Sequence, residues 1–138
     1  MKAYNGFTPA QRLKAYQWLQ AEYEAGRRVR PIRCDACSQT SGVIEAHSED
    51  YSRPFGAHIG QHGLCWTCHM MVHNRLNAPD AWRRYRASLR AGAVFRPFYS
   101  RDFGAFSAAF LRDDLPGPDH YREATTSTVL DDIDAAGG

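Results

Sequence analysis

No apolar run in this sequence is long enough to cross a bilayer. The first residues, Met1-Lys2-Ala3-Tyr4-Asn5-Gly6, have no apolar core of the secretory-signal kind. Both absences point to a soluble cytoplasmic chain with no membrane partner. Cysteine is scarce. The 138 residues contain four, all within two Cys-x-x-Cys pairs, Cys34/Cys37 and Cys65/Cys68. Disulfides are the competing use, mostly in secreted chains, so reduced and metal-bound thiols are the better reading. Positive charge is almost missing from the C-terminal end. Residues 113–138 hold one of the 17 Lys+Arg and seven of the 15 Asp+Glu, a formal −6, whereas residues 1–112 carry +8. A basic body with an acidic tail suits a polyanion-binding surface for which the tail competes; a merely solubilising tail is the alternative. There is no internal repeat beyond the doubled cysteine pair. The length fits one domain, residues 1–112, with a small core that needs a metal or crosslinks, followed by an acidic, disordered tail over 113–138.

Local patterns predict a helix over residues 7–26. Thr8 is its cap, Pro9 its first residue, and Gln11 completes a capping box. Leu13, Tyr16, Leu19 and Tyr23 form its apolar stripe, and Gly26 stops it. Arg27, Arg28, Arg30 and Arg33 follow as a basic run, read as phosphate contacts over a merely solvated surface. Gly42 to Ala46 is a short β-prone stretch that carries His47 to its end. Residues 48–63, with Ser52, Pro54, Gly56, Gly60 and Gly63, form a loop with a short returning strand. Trp66 to Asn74 reads as a helix. A further helix spans 78–91, with Asn77 as cap, Trp82, Tyr85 and Leu89 as apolar stripe, and Arg83, Arg84, Arg86 and Arg90 as a positive face. That face is either a solvated amphipathic surface or a nucleic-acid contact. Phe103, Phe106 and Phe110 share a face of a short helix capped by Asp102, expected to pack onto the first helix. Pro116, Pro118 and the Thr-Thr-Ser-Thr run mark the tail as disordered.

Two groups of metal ligands stand out. Zinc takes four thiolates in a tetrahedron, and two Cys-x-x-Cys knuckles supply them. The 27 residues between Cys37 and Cys65 are tolerable because loop-closure cost grows slowly with length. His69 and His73 stand four apart, so a helix there puts both imidazoles on one face. A strand ending at His47 can face them. Three neutral imidazoles with an open fourth position make a catalytic type of metal site, while His69 beside Cys68 could instead merely cap or pack. His120 falls in the tail, and His58 and His62 fall in the loop.

The order Cys-x-x-Cys, Ile44-Glu45-Ala46-His47, Asp50-Tyr51-Ser52-Arg53-Pro54, Leu64-Cys65-x-x-Cys68-His69-x-x-x-His73 resembles the HNH endonuclease superfamily. It looks most like the zinc-ribbon-bearing HNH-like proteins of phages and bacteria. The resemblance covers about residues 34–74. It implies an α+β fold: a small zinc-stabilised ββα-metal core flanked by α-helices. It also implies a structural zinc on Cys34, Cys37, Cys65 and Cys68, and a second divalent metal (Mg, Mn, Ni or Zn) on His47, His69 and His73. The implied activity is metal-dependent cleavage of nucleic acid, most readily DNA. The family's general base follows the first metal-binding histidine, and that position is Ser48, whose hydroxyl is a very poor base near neutral pH. The family's middle Asn is also missing: Gly60, Gln61 and His62 stand where it is expected. A substitute base would be His62 or His58. The alternative is a zinc-binding module that binds nucleic acid or another partner without cutting.

Overall fold

Thr8 opens the first helix as its sequence implies. Its side chain accepts from the Gln11 amide at 3.1 Å, and the Gln11 side chain accepts from the Thr8 amide at 2.8 Å. This helix is α1 (Pro9–Glu24). The computed structural model describes residues 1–111, 115–123 and 129–137, the last with side chains through Ile133. Strands β1 (Ile44–His47) and β2 (His62–Cys65) follow α1, and α2 (Trp66–His73) starts directly from β2. Then come α3 (Pro79–Arg90), β3 (Ala93–Phe95), α4 (Phe103–Phe106) with a π-helical turn to Leu111, β4 (Pro118–Tyr121) and α5 (Val129–Gly137). Among the described residues the fold is α+β with two antiparallel two-stranded sheets, β1–β2 and β3–β4. No helix among them is long and apolar enough to cross a membrane.

The β1–β2 hairpin is in register from Ile44 opposite Cys65 to His47 opposite His62. The first cysteine knuckle docks on β2 through one residue pair. Asp35 donates its amide to the Gly63 carbonyl at 2.7 Å, and its carboxylate accepts from the Gly63 amide at 2.8 Å. Gly63 has to be glycine here, because a Cβ would lie 2.6 Å from Pro31 and 2.9 Å from the Arg33 carbonyl. Gln39 ties the same knuckle to the second sheet by donating to the Phe95 carbonyl.

Two apolar clusters result. The larger surrounds the four cysteines and includes Leu64, Met71, Val72, Tyr85, Phe95 and Phe106. The smaller holds α1 against the 48–61 loop through Ala15, Leu19 and Ile59. The α1 stripe differs from the sequence expectation. Leu19 is buried, but Leu13 is 45% and Tyr16 52% exposed. Small Ala15 takes the inward position and lets the helix approach the loop closely. The aromatic segment also packs elsewhere than expected: Phe98, Phe106 and Phe110 join the larger cluster, not α1. Helix α3 buries Tyr85 and Leu89 as its periodicity predicts, although its cap is Ala78 instead of Asn77.

The expectation of a disordered tail is corrected for the described residues. Strand β4 pairs with β3, and Leu130 and Ile133 of α5 are buried in the larger cluster. Val129, Leu130 and Ile133 have helical spacing, which the surrounding acids conceal in a composition-based reading. Arg122 pins this end to the first knuckle, donating to Ser38 Oγ at 2.6 Å and the Ala36 carbonyl at 3.0 Å. Asp131 pairs with Arg86 of α3. The Thr-Thr-Ser-Thr run lies outside the described residues. Replacing Ile133 by Ala should therefore cost about 2–5 kcal/mol of stability, as for other buried aliphatic truncations. Chemical denaturation checks this; a solvated tail would give a change within about 0.5 kcal/mol.

Candidate metal centre

Strand β2 ends at Cys65, which is also the residue that caps α2, and Cys68 sits in the first turn of that helix. Opposite them the turn at Cys34–Cys37 closes with the Cys37 amide directed at Cys34 Sγ. All four cysteines are free and buried, and their sulfurs lie within 4.8 Å of one another. Buried sulfurs this close cannot all carry negative charge unless a cation joins them. Hydrogen bonds from the neighbouring sulfurs hold Cys37 far below the usual thiol range. The bond to Cys34 drives Cys65 well above it, and burial does the same to Cys68. A cation at the centre removes that conflict, so the donor set fits a metal ion.

The histidines form a second group. One ring nitrogen each from His47, His69 and His73 fall within 4.8 Å of one another. Two periodicities bring this about. Glu45 and His47 alternate onto the same face of β1, and His69 and His73 stand one turn apart on α2, which lies against that face. His69 Nε2 and His73 Nε2 are 3.0 Å apart. The third ring, His47, has its Nδ1 buried without any hydrogen-bond partner. An orphaned nitrogen beside two facing ones is the arrangement a cation satisfies. Burial is the main cause that holds His47 down at about 4 and pushes His73 lower still. Both rings are therefore neutral at neutral pH, with lone pairs available to a metal.

The outer nitrogens are fixed by carboxylates that the sequence reading missed. Glu49 Oε2 lies 2.5 Å from His47 Nε2, and Glu45 Oε1 lies 3.4 Å from His69 Nδ1. Each carboxylate holds the N–H tautomer that turns the other ring nitrogen inward. Glu49 is itself anchored. Arg75, 5% exposed, donates to Glu49 Oε1 at 2.7 Å and to the Tyr4 hydroxyl at 2.6 Å, and Tyr4 donates to Glu49. Burial opposes the charge on Glu49, but the bonds from His47 and Tyr4 and the Arg75 cation outweigh it and hold the carboxyl below its ordinary range. The two-residue step from His47 to Glu49 was a readable signal; Tyr4 and Arg75 gave none, being brought in by tertiary folding.

The imidazoles open on a pocket of about 200 Å³ between β1 and α1, with Arg12 and Tyr16 on the α1 side. Ser48 lines this pocket, but its Oγ accepts from the Gly60 amide at 2.7 Å. His62 stands directly opposite His47 in the hairpin, buried and outside the residues lining the pocket. His58 is also outside them and bonds the Ser52 carbonyl. The arginines are dispersed in their roles. Arg27 pairs with Glu22, and Arg28 holds the loop by donating to the Ile59 carbonyl. Arg30 lies over the Tyr23 ring, and Arg33 donates to Ser38. Arg83 pairs with Asp80 and Arg86 with Asp131, while Arg84 and Arg90 are exposed.

Comparison with protein-family models, curated proteins and solved structures finds no match to this chain. The candidate metal centre rests on its own geometry. Glu49→Ala should lower metal affinity at the histidine site by about 10–100-fold, the usual cost of losing a carboxylate that orients a ligand. Glu49→Gln, which keeps an acceptor for His47, should lose less. Titration with a divalent metal after the cysteine site is filled measures both, and equal affinity in all three proteins would show that Glu49 does not orient the ring.

Proposed function

We propose that this chain is a metal-dependent nucleic-acid endonuclease of the HNH type, slowed by serine at the general-base position. The single observation that carries this reading is the convergence of His47, His69 and His73 from a hairpin and the helix that follows it without a break. In this reading zinc occupies the four-cysteine site and holds the knuckle against α2. A divalent cation on the three imidazoles supplies charge neutralisation for a phosphodiester.

The remaining roles fall to the chain's own residues. Glu49 and Glu45 keep His47 and His69 in the tautomers that face the site. Hydrolysis needs a group that takes a proton from water as its oxygen attacks phosphorus and the bond to the leaving oxygen breaks. The Ser48 hydroxyl is a poor acceptor of that proton, and its oxygen is already engaged by the Gly60 amide. His62 pairs with His47 across the ladder, and His58 lies in the preceding loop; these are the two histidines considered as substitutes. The Ser48–Gly60 bond also favours the second reading, in which the same frame binds nucleic acid without cutting it.

Cleavage of plasmid and of single-stranded DNA with Mg, Mn, Ni or Zn tests the choice. The wild type should cut slowly, and His73→Ala should abolish cutting while the fold is retained. Ser48→His should raise the rate, by up to the roughly 10²–10⁴ that general-base help supplies. Combining it with His73→Ala should remove the gain. Fast cutting by the wild type that neither Ser48→His nor Ser48→Ala changes would place the base elsewhere. No cutting by any variant under any of the metals would leave the binding module.

A further inference from the structure

The histidine pocket does not end at the histidines. Towards one side it shares Tyr16, Leu19, Glu45 and Ala46 with a second pocket that reaches Arg30 and Arg101. Towards the other it shares Arg12 and His73 with a third that reaches Lys2 and Asn77. The three adjoin in series through these shared residues, with α1 on one side and β1 and α2 on the other, and the imidazoles line the middle one.

The lining of this groove is cationic and carries an aromatic platform. Lys2, Arg12, Arg30 and Arg101 are set along it, against the single carboxylate Glu45, which is bonded to Arg101 and His69. Arg12 donates to the Lys2 carbonyl and the Tyr51 hydroxyl, and only its buried Nε has no hydrogen-bond partner. Tyr16, like Leu13, belongs to the α1 stripe that the apolar pattern assigns to the core, yet it stands 52% exposed and lines the groove. The individual sections hold about 200, 220 and 320 Å³.

We propose that this groove is the track of a single extended polynucleotide strand. Its phosphates lie against Lys2, Arg12, Arg30 and Arg101, a base stacks on Tyr16, and a phosphodiester is drawn past the three imidazoles. Positive charge that follows a backbone, together with an exposed ring, is the combination by which proteins hold single strands. The proposal rests on the nucleic-acid reading above, and it adds that the ligand is single-stranded and enters between α1 and β1.

The test is fluorescence anisotropy on the full-length protein without added divalent metal. The ligands are labelled single-stranded DNA and RNA of about 12 nucleotides, a length within known single-strand site sizes, and a duplex of the same length. At least one single strand should bind about tenfold or more tightly than the duplex. Tyr16→Ala and Arg30→Glu should each weaken it by about tenfold, the scale of one lost stacking or phosphate contact. Tyr16→Phe keeps the ring and should lose less affinity than Tyr16→Ala. Arg96→Glu makes the same charge change away from the groove lining and should stay within about twofold. Tighter binding to the duplex, or groove variants that behave like Arg96→Glu, would overturn the track. The readout does not depend on cleavage. Strand binding in a protein that never cuts keeps the track and removes the endonuclease. Plasmid nicking by a protein whose oligonucleotide affinity ignores the groove does the reverse.

Discussion

The meeting of four cysteine sulfurs is the constraint on which the rest of this structure depends. It joins a turn at residues 34–37 to the strand–helix junction at 65–68, across 27 intervening residues. Helix α2 has eight residues, too short to persist in water by itself. Its start is fixed because Cys65 ends the strand and Cys68 completes the first turn. With that start fixed, the rotation of the helix is fixed too, and His69 and His73 can face only β1. The residues that hold the fold and those that present imidazoles are thus neighbours in one helix, pointing to adjacent faces.

A second constraint is the buried charge behind His47. Glu49 and Arg75 are both about 5% exposed, and a buried ion pair of this kind contributes little net stability, because desolvation offsets the attraction. What it does supply is position. Glu49 is held by two elements that are remote in sequence, the N-terminal segment through Tyr4 and the end of α2 through Arg75. Its carboxylate then holds one ring nitrogen of His47, so the opposite nitrogen faces the other two imidazoles. The N-terminal segment, which carries no motif, thereby becomes part of the site.

Much of this frame was legible in the sequence. The ligand spacings, the capping box at Thr8, and the short β-prone stretch before His47 are local signals, and each corresponds to an element of the fold. What was not legible is tertiary. Tyr4 and Arg75 reach Glu49 over separations of 45 and 26 residues, and nothing local marks them. The α1 stripe was misassigned because the inward position belongs to Ala15, whose small size permits close approach and gives little hydrophobic signal. The C-terminal segment was read by its charge and prolines, and composition hides the apolar face that Leu130 and Ile133 form once the chain is helical. The arginines at 27–33 read as phosphate contacts and those at 83–90 as a positive face, but the structure engages Arg28 and Arg86 within the fold.

The central claim is that α2 joins two separate metal sites, one of four cysteines shared with the 34–37 turn and one of three histidines shared with β1. Native mass spectrometry with elemental analysis, on the full-length wild type, Cys65→Ser and His73→Ala, tests it most directly. The wild type loaded with zinc should carry two ions per chain. His73→Ala should carry one and stay folded, and Cys65→Ser should lose both together with its secondary structure. A wild type that binds a single ion, or a His73→Ala protein that still binds two, would contradict the two-site account.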